Sequence, residues 1–144
     1  MKPRRSLVLE SSLAALARAV LLLSLFLLFS GHNAPGGGFV GGLTASAAFV
    51  LVFVAHGGRA MRNAARFRPT TYLGTGLVVA GLTGAAGLVT GNPFLTGGVA
   101  EFDLPLLGTI KATSALVFDV GVYLVVVGLM LGVLTAFDLE EGSP

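Results

Sequence analysis

The sequence predicts an all-α integral membrane protein with four transmembrane helices. Of its 144 residues, 54% are hydrophobic and only 11% are charged, whereas about 25% of the residues in an average soluble domain are charged. The mean hydropathy is +0.89. So few charges could not cover the surface of a soluble domain, and the composition therefore indicates a membrane protein.

Four stretches are apolar over the roughly 20 residues that a membrane span requires. They cover residues 13–30, 39–55, 72–90 and 112–137. Because backbone groups in lipid must bond within the protein, runs of this length form helices, and the alternating polarity of barrel strands does not occur. We expect residues 1–144 to form a single four-helix membrane domain. The first stretch follows a basic start, as in a signal peptide, but no clear small-residue cleavage site follows it.

Basic residues cluster beside the apolar stretches, and this predicts the orientation of the chain. Eight of the nine lie near the N-terminus or between the second and third spans, namely Lys2, Arg4, Arg5, Arg18, Arg59, Arg62, Arg66 and Arg68. By the positive-inside rule, both termini and the loop between the second and third spans are cytoplasmic. We therefore expect a multi-pass protein of the inner (cytoplasmic) membrane, with no nucleic-acid partner.

Small residues recur at the spacing that brings membrane helices together. They form two GxxxG pairs and one stripe on the third helix, namely Gly87 with Gly91, Gly128 with Gly132, and Gly76 with Ala80 and Gly84. Small residues cover much of the circumference of the third helix, more than packing within four helices requires. We expect this helix to contact partner subunits as well as its own neighbours.

A glycine-rich outer loop connects the first two helices and reads GHNAPGGGFVGG over residues 31–42. Its glycines match GxGxxG, but a dinucleotide site needs a preceding strand and an acidic residue about twenty positions later. A membrane helix precedes this loop, and the next acidic residue is Glu101. We expect a structural motif that shapes the loop and the helix start, formed by Pro35, Gly36, Gly37, Gly38, Phe39, Gly41 and Gly42. His32 and Asn33 add polar groups at the membrane surface.

Asp119 lies inside the fourth span. A charged side chain in a span costs several kcal/mol and is a functional hypothesis by default. Tyr123 follows at i+4 on the same helix face. Lys111 lies about 12 Å earlier along the axis of one straight helix, too far for a direct pair. Two interpretations remain open: Asp119 fixes a helix contact through a hydrogen bond, or it takes part in proton or sodium passage. The ion-pathway candidates are Asp119, Lys111, His32 and Asn33.

The second outer loop, residues 91–111, is long for a connection without structure of its own, and we expect an extended, hairpin-like segment. The chain has no cysteine, and it contains neither a Ser-His-Asp arrangement nor HExxH. We therefore expect no catalytic residues, no cofactor and no metal site.

Two segments resemble signatures of one known family. Residues 32–42 (HNAPGGGFVGG) and 118–128 (FDVGVYLVVVG) resemble the glycine-rich loop and the last helix of the MnhB-like family, the B subunits of Mrp-type multisubunit Na⁺/H⁺ antiporters. The order of the motifs, the four spans and the chain length also fit. The resemblance therefore covers nearly the whole sequence.

The resemblance implies a non-enzymatic subunit of a complex that exchanges sodium or potassium for protons. Its partners would be the large, complex-I-like A and D subunits, the small C, E, F and G subunits, and the lipid bilayer. The chain would contribute to assembly, and a contribution to the cation route is left open. Near that route, Asp119 and Lys111 would be candidate polar groups.

Three alternatives differ in the host complex or in the role. The first is the equivalent subunit of an energy-converting, membrane-bound hydrogenase-type complex, and the second is a purely structural scaffold subunit. The third is a self-sufficient homodimeric transporter similar to the small multidrug exporters. Those proteins carry a lone membrane glutamate in the first helix, whereas here the first span holds Arg18 and the acid lies in the fourth.

Overall fold

A computed structural model describes residues 7–31, 36–89, 100–104, 108–112 and 114–141. The elements in chain order are α1 (Leu7–Ser30), α2 (Gly38–His56), α3 (Gly58–Ala65), α4 (Pro69–Val89), β1 (Ala100–Leu104), β2 (Gly108–Ala112) and α5 (Ser114–Glu141). Four helical segments are long and apolar enough to cross a membrane, and the third of these joins α3 to α4. The predicted four-helix transmembrane fold is confirmed, and the chain is a multi-pass membrane protein.

The outer helices extend beyond the predicted spans. α1 begins at Leu7 rather than at residue 13 and so includes Glu10, and α5 ends at Glu141 rather than at residue 137. The apolar windows define only the part of a helix that lies in lipid, whereas the backbone continues its i→i−4 bonds into water wherever the residues favour a helix. Arg18 is therefore not the only charged residue of α1.

The connection between α4 and α5 contains an antiparallel pair of strands. β1 pairs with β2 in a register that sets Glu101 opposite Lys111. The fourth span was predicted from residue 112, but Ala112 ends β2 and α5 begins at Ser114. Lys111 therefore stands on a strand, and the distance to Asp119 along one straight helix does not apply.

The helices pack in the order α1, α2, α5, α4. α2 lies between α1 and α5, whereas α4 packs against α5 and makes no comparable contact with another described element. Glycines allow α4 and α5 to touch backbone to backbone. A Cβ at Gly76 would lie 2.7 Å from the carbonyl oxygen of Gly121, and a Cβ at Gly128 would lie 2.8 Å from the backbone nitrogen of Leu73. Gly76 and Gly128 therefore serve the internal contact, whereas a Cβ at Gly132, the other member of the predicted pair, would meet only Cβ of Pro69 at 3.8 Å.

Other small residues of α4 face outward. A Cβ added at Gly74 or at Gly81 would meet no described atom within 4 Å. Gly91, the second member of one predicted pair, lies outside the described residues. The outward glycines leave room for a helix of a partner subunit, and that contact stays a prediction.

The segment after α2 is helical, not a simple basic loop. α3 has eight residues, and its Met61 and Ala65 are buried at 0% and 3% exposure against Phe49 of α2 and Leu131 of α5. Arg62 faces outward and forms an ion pair with Asp138 near the end of α5. We call this end of the molecule the arginine end. The opposite end, where α1 ends and α2 and α5 begin, is the loop end.

Candidate functional site

The chain reverses direction at the loop end by laying glycine backbone on the last turn of α1. The N–H of Gly37 donates to the carbonyl oxygen of Leu27 at 3.0 Å. A Cβ at Gly36 would lie 2.6 Å from the same oxygen. Because the last four carbonyls of a helix have no partner within it, this bond satisfies one of them where lipid offers no donor.

Gly37 occupies a backbone conformation that side chains rarely adopt. Its φ is 99° and its ψ is −173°, a region that is populated almost only by glycine. It is the residue before α2, whose helical residues begin at Gly38. The glycine at position 37 is therefore required by the turn itself, as the sequence motif suggested.

Three further motif glycines bring α1, α2 and α5 into contact. Gly38, Gly41 and Gly42 are all buried. A Cβ at Gly38 would lie 2.8 Å from Cα of Asp119, one at Gly41 would lie 2.9 Å from the carbonyl oxygen of Ser24, and one at Gly42 would lie 2.8 Å from Cβ of Val126. Real Cβ atoms make no such close contacts, so these positions accept no larger residue without a shift of the helices. Phe39 points away and is 58% exposed.

A hydrogen bond crosses this contact. The hydroxyl of Tyr123 on α5 lies 2.9 Å from the hydroxyl of Ser24 on α1, and Ser24 also donates to the carbonyl oxygen of Leu21 at 2.6 Å. The ring of Tyr123 passes over Gly41, whose added Cβ would lie 3.3 Å from Cδ2. Tyr123 reaches α1 only because position 41 has no side chain. We call this contact of three helices the glycine junction.

Ser24 was not among the residues predicted from the sequence, although it is fully buried at 0% exposure. Its only signal was a single hydroxyl within the apolar run LLLSLFLL. Such a serine can also bond to its own helix. The sequence alone could not identify Tyr123 as its second partner.

Asp119 stands at the loop end of the glycine junction and is partly buried. Its carboxylate oxygens lie 3.5 and 3.7 Å from the position that a Cβ at Gly37 would take. The carboxylate thus adjoins the N-terminus of α2, where the helix dipole is equivalent to about half a positive charge. Among the residues that the structure describes, no basic side chain forms an ion pair with Asp119.

The interior below the junction is apolar. Toward the arginine end, α2 and α5 meet through Phe49, Val127, Leu131 and Leu134, which are 8%, 2%, 1% and 8% exposed. In the described residues, no charged side chain lies within this cluster. Of the described residues, only Ser24 and Ser46 are buried polar side chains. Ser46 donates to the carbonyl oxygen of Gly42 on its own helix at 2.8 Å, so no charged side chain continues the polar groups of Asp119 and Tyr123 through the centre.

The structure brings only part of the predicted site together. Gly36, Gly37, Gly38, Gly41, Gly42, Asp119 and Tyr123 meet at the glycine junction, whereas His32, Asn33 and Pro35 lie outside the described residues. Lys111 lies on β2. Within the described ranges, no three His, Asp or Glu side chains are grouped as a metal ion would require.

Comparisons with known proteins agree with these features. The family model for a domain related to the MnhB subunit of Na⁺/H⁺ antiporters matches residues 8–132. The B subunit of the Na⁺/H⁺ antiporter of Bacillus subtilis strain 168 is 42% identical over 135 residues, which cover 94% of each chain. The B subunit of the Na⁺/H⁺ antiporter of Alkalihalophilus pseudofirmus is 41% identical over 122 residues, which cover 85% of each chain.

A solved structure shows the same fold. A chain in the Mrp complex from Dietzia sp. DQ12-45-1b superimposes with a TM-score of 0.72 and 31% identity over 95% of this chain. The match covers 15% of that longer chain. The family model, the two relatives and this fold together show that the chain belongs to the family of domains related to the MnhB subunit of Na⁺/H⁺ antiporters.

Proposed function

We propose that the chain is a non-enzymatic subunit of an Mrp-type complex that exchanges Na⁺ for H⁺, and that Asp119 contributes its charge to the cation route at the loop end. The relatives named as B subunits of Na⁺/H⁺ antiporters support the host complex. The observation that carries the role of Asp119 is the contact of its carboxylate with the N-terminus of α2 at Gly37.

The position of Asp119 leaves its charge accessible to an external partner. An aspartate costs about 2.5–3.5 kcal/mol at the centre of a membrane helix and less toward the surface, and the N-terminus of α2 offsets at most about 2 kcal/mol of that cost. Asp119 lies five residues after the start of α5 at Ser114, which is about 8 Å along the helix and close to the membrane surface. Water, a cation or a group of another subunit can stabilise the remaining charge there.

The cation route proposed here runs beside this chain rather than through its centre. An ion that followed the helix axes would have to pass the apolar cluster that contains Val127 and Leu131, where an unpaired charge is very costly. A boundary with a larger subunit avoids this cost, because polar groups of that subunit can line the other side. Asp119 then acts as an electrostatic attractor at one wall of the route.

The exposed helices support assembly with the other members of the complex, which we propose to be the A, C, D, E, F and G subunits. Only 11% of the apolar window of the third candidate span is buried, compared with 44% for α2. Gly74 and Gly81 add room for a neighbouring helix. In the orientation that we propose, the arginine end is cytoplasmic, as the positive-inside rule predicts.

The test is the exchange of Asp119 for asparagine in the assembled complex. Asp119→Asn keeps the shape of the side chain and removes the charge. The matched control is Asp138→Asn. Asp138 also lies on α5 and also adjoins a glycine, Gly58, but it stands at the arginine end. Sodium-dependent proton movement is measured in everted vesicles from a host without antiporters of its own, and assembly is measured on native gels.

We expect Asp119→Asn to assemble and to lose most of the exchange, while Asp138→Asn keeps it. Normal exchange by an assembled Asp119→Asn complex would leave the chain a structural scaffold, and the route proposed here would be wrong. Deletion of the whole chain tests the host complex separately. If sodium-dependent exchange is unchanged after deletion, the chain does not serve an antiporter.

A further inference from the structure

A cleft of about 690 Å³ opens at the arginine end, between the segment that links α3 to α4, the first turn of α4 and the last turns of α5. Three arginines are among the residues that line it, and most of its surface is apolar. Its lining includes Arg62, Arg66, Arg68, Thr70, Gly132 and Leu139. The cleft is distinct from the glycine junction, which lies at the opposite end of α5.

The cleft carries an excess of positive charge. None of the described residues that line it is acidic. Arg62 forms an ion pair with Asp138, so its charge is largely balanced. In the part of the chain that the structure describes, Arg66 and Arg68 form no ion pair, and both are exposed.

Backbone geometry adds to the attraction for an anion. α4 begins at Pro69, which has no N–H, and the N–H of Thr71 already donates to the carbonyl oxygen of Arg68 at 3.0 Å, so the first turn contributes through its dipole rather than through these two residues as donors. Thr70 in this first turn lines the cleft together with Arg66 and Arg68, so the positive end of the dipole of α4 adds to the positive charge of the two arginines. Arg66 has a φ of 64°, an uncommon conformation for a residue with a side chain, and it directs the chain from α3 into this turn.

The apolar side of the cleft suits hydrocarbon. Gly132 leaves its floor open, because a Cβ there would meet nothing closer than Cβ of Pro69 at 3.8 Å. Leu139 and Phe67 at the edges are 67% and 64% exposed. The volume of the cleft is about that of twenty molecules in liquid water. This is far more than the volume of a phosphate ion. The cleft also lies at the ends of two membrane spans, where lipid headgroups are found.

We propose that this cleft binds the phosphodiester headgroup of an anionic phospholipid. Arg66 and Arg68 hold the phosphate together with the first turn of α4, and the glycerol and first methylenes lie along Gly132 and Leu139. The arginines and the apolar floor together specify the ligand. Guanidinium groups recognise any phosphate, whereas the open apolar floor at the membrane boundary favours a phosphate that carries acyl chains.

The test uses the assembled complex in phosphatidylcholine nanodiscs that contain increasing fractions of a photoactivatable phosphatidylglycerol. Labelled peptides are identified by mass spectrometry, and the half-saturating fraction of the probe is measured. The perturbation is the double variant Arg66→Gln with Arg68→Gln. The matched control is Arg59→Gln, which removes an arginine of α3 that does not line the cleft. A second variant, Gly132→Leu, fills the floor without a change in charge.

We expect labelling in peptides from the start of α4 and the end of α5. The double variant should raise the half-saturating fraction about 25-fold, which is about fivefold for each of the two arginines. Arg59→Gln should change it less than fivefold, and Gly132→Leu should abolish labelling in these peptides. Gly132→Leu keeps every arginine. It therefore still tests whether lipid occupies the cleft if the double variant fails to assemble.

Three outcomes overturn the proposal. Wild-type complex without label in these peptides means that lipid does not occupy the cleft, as when an acidic segment of another subunit fills it. Equal effects of the double variant and Arg59→Gln, counted per arginine removed, mean diffuse surface attraction rather than a site. Displacement of the probe by millimolar inorganic phosphate in the wild type means a site for soluble anions.

Discussion

The close contact of α2 with α5 predicts a graded response to alanine at three glycines. Gly38 lies against the backbone of Asp119, Gly41 lies against Ser24 and Tyr123, and a Cβ at Gly81 would meet no described atom within 4 Å. Alanine adds the same single carbon at each position. The loss of stability should therefore depend on the space available to the added carbon and not on the chemistry of the substitution.

The magnitudes follow from the distances. Carbon atoms pack at 3.5–4.0 Å, so the 2.8 Å between an added Cβ at Gly38 and Cα of Asp119 is short by about 1 Å. Backbone on both sides cannot rotate away, so the helices must separate, and a gap of 0.5–1 Å already loses a quarter to a half of each contact energy. We expect Gly38→Ala to cost about 3 kcal/mol, the upper end for an overpacked core.

Gly41 and Gly81 provide the intermediate cost and the reference without a clash. An added Cβ at Gly41 would lie 2.9 Å from the carbonyl oxygen of Ser24, only about 0.4 Å inside an ordinary contact between carbon and oxygen, so a cost of about 1–2 kcal/mol is expected. Gly81→Ala should be neutral or stabilising by up to about 1 kcal/mol, because alanine favours the helix.

The assay is the thermal stability of the purified complex in detergent, measured as the fraction that remains monodisperse on gel filtration after heating. Native gels of unheated samples measure assembly. Gly38→Ala should give the lowest midpoint, followed by Gly41→Ala, with Gly81→Ala at or above the wild type. Equal midpoints for Gly38→Ala and Gly81→Ala would refute the close approach of α2 and α5 at the loop end. Loss of assembly by Gly81→Ala alone would show that a partner helix occupies the outward face of α4.

Three further substitutions test single contacts. Gly37→Ala should cost about 1–3 kcal/mol because the φ of 99° disfavours any side chain, and a melt of the complex measures this. Tyr123→Phe should cost about 0.6–1.7 kcal/mol for the lost bond to Ser24, and unchanged stability in the same melt would argue against the bond. Arg62→Gln should cost less than about 1 kcal/mol, because its pair with Asp138 is partly exposed, and high salt should remove the difference.

The sequence was most informative about membrane insertion. Apolar length and the self-bonding of backbone in lipid leave few alternatives to helices, so the four spans could be predicted from composition along the chain. The ends of the helices could not, because residues such as Glu10 and Glu140 continue the helix in water. The motif glycines could also be predicted as close-packing positions, although their partners on α1 and α5 could not.

The composition did not predict the helix α3. Its arginines suggested a simple cytoplasmic loop, yet Gly58, Met61 and Ala65 are buried and recur at helical spacing. That spacing could have predicted an amphipathic helix. The pairing of Arg62 with Asp138 was beyond the sequence, because it joins residues that are 76 positions apart.

The positions of the charges support the proposal that the chain forms a wall of the ion route rather than a pore. Asp119 lies at one end of α5 and Asp138 at the other, and between them α5 buries Val127, Leu131 and Leu134. An ion that left Asp119 along the helix axis would meet these apolar side chains, and the buried hydroxyl of Ser46 on α2 already donates to the carbonyl oxygen of Gly42. A cation could therefore be attracted at the loop end while the route itself continues along a partner subunit.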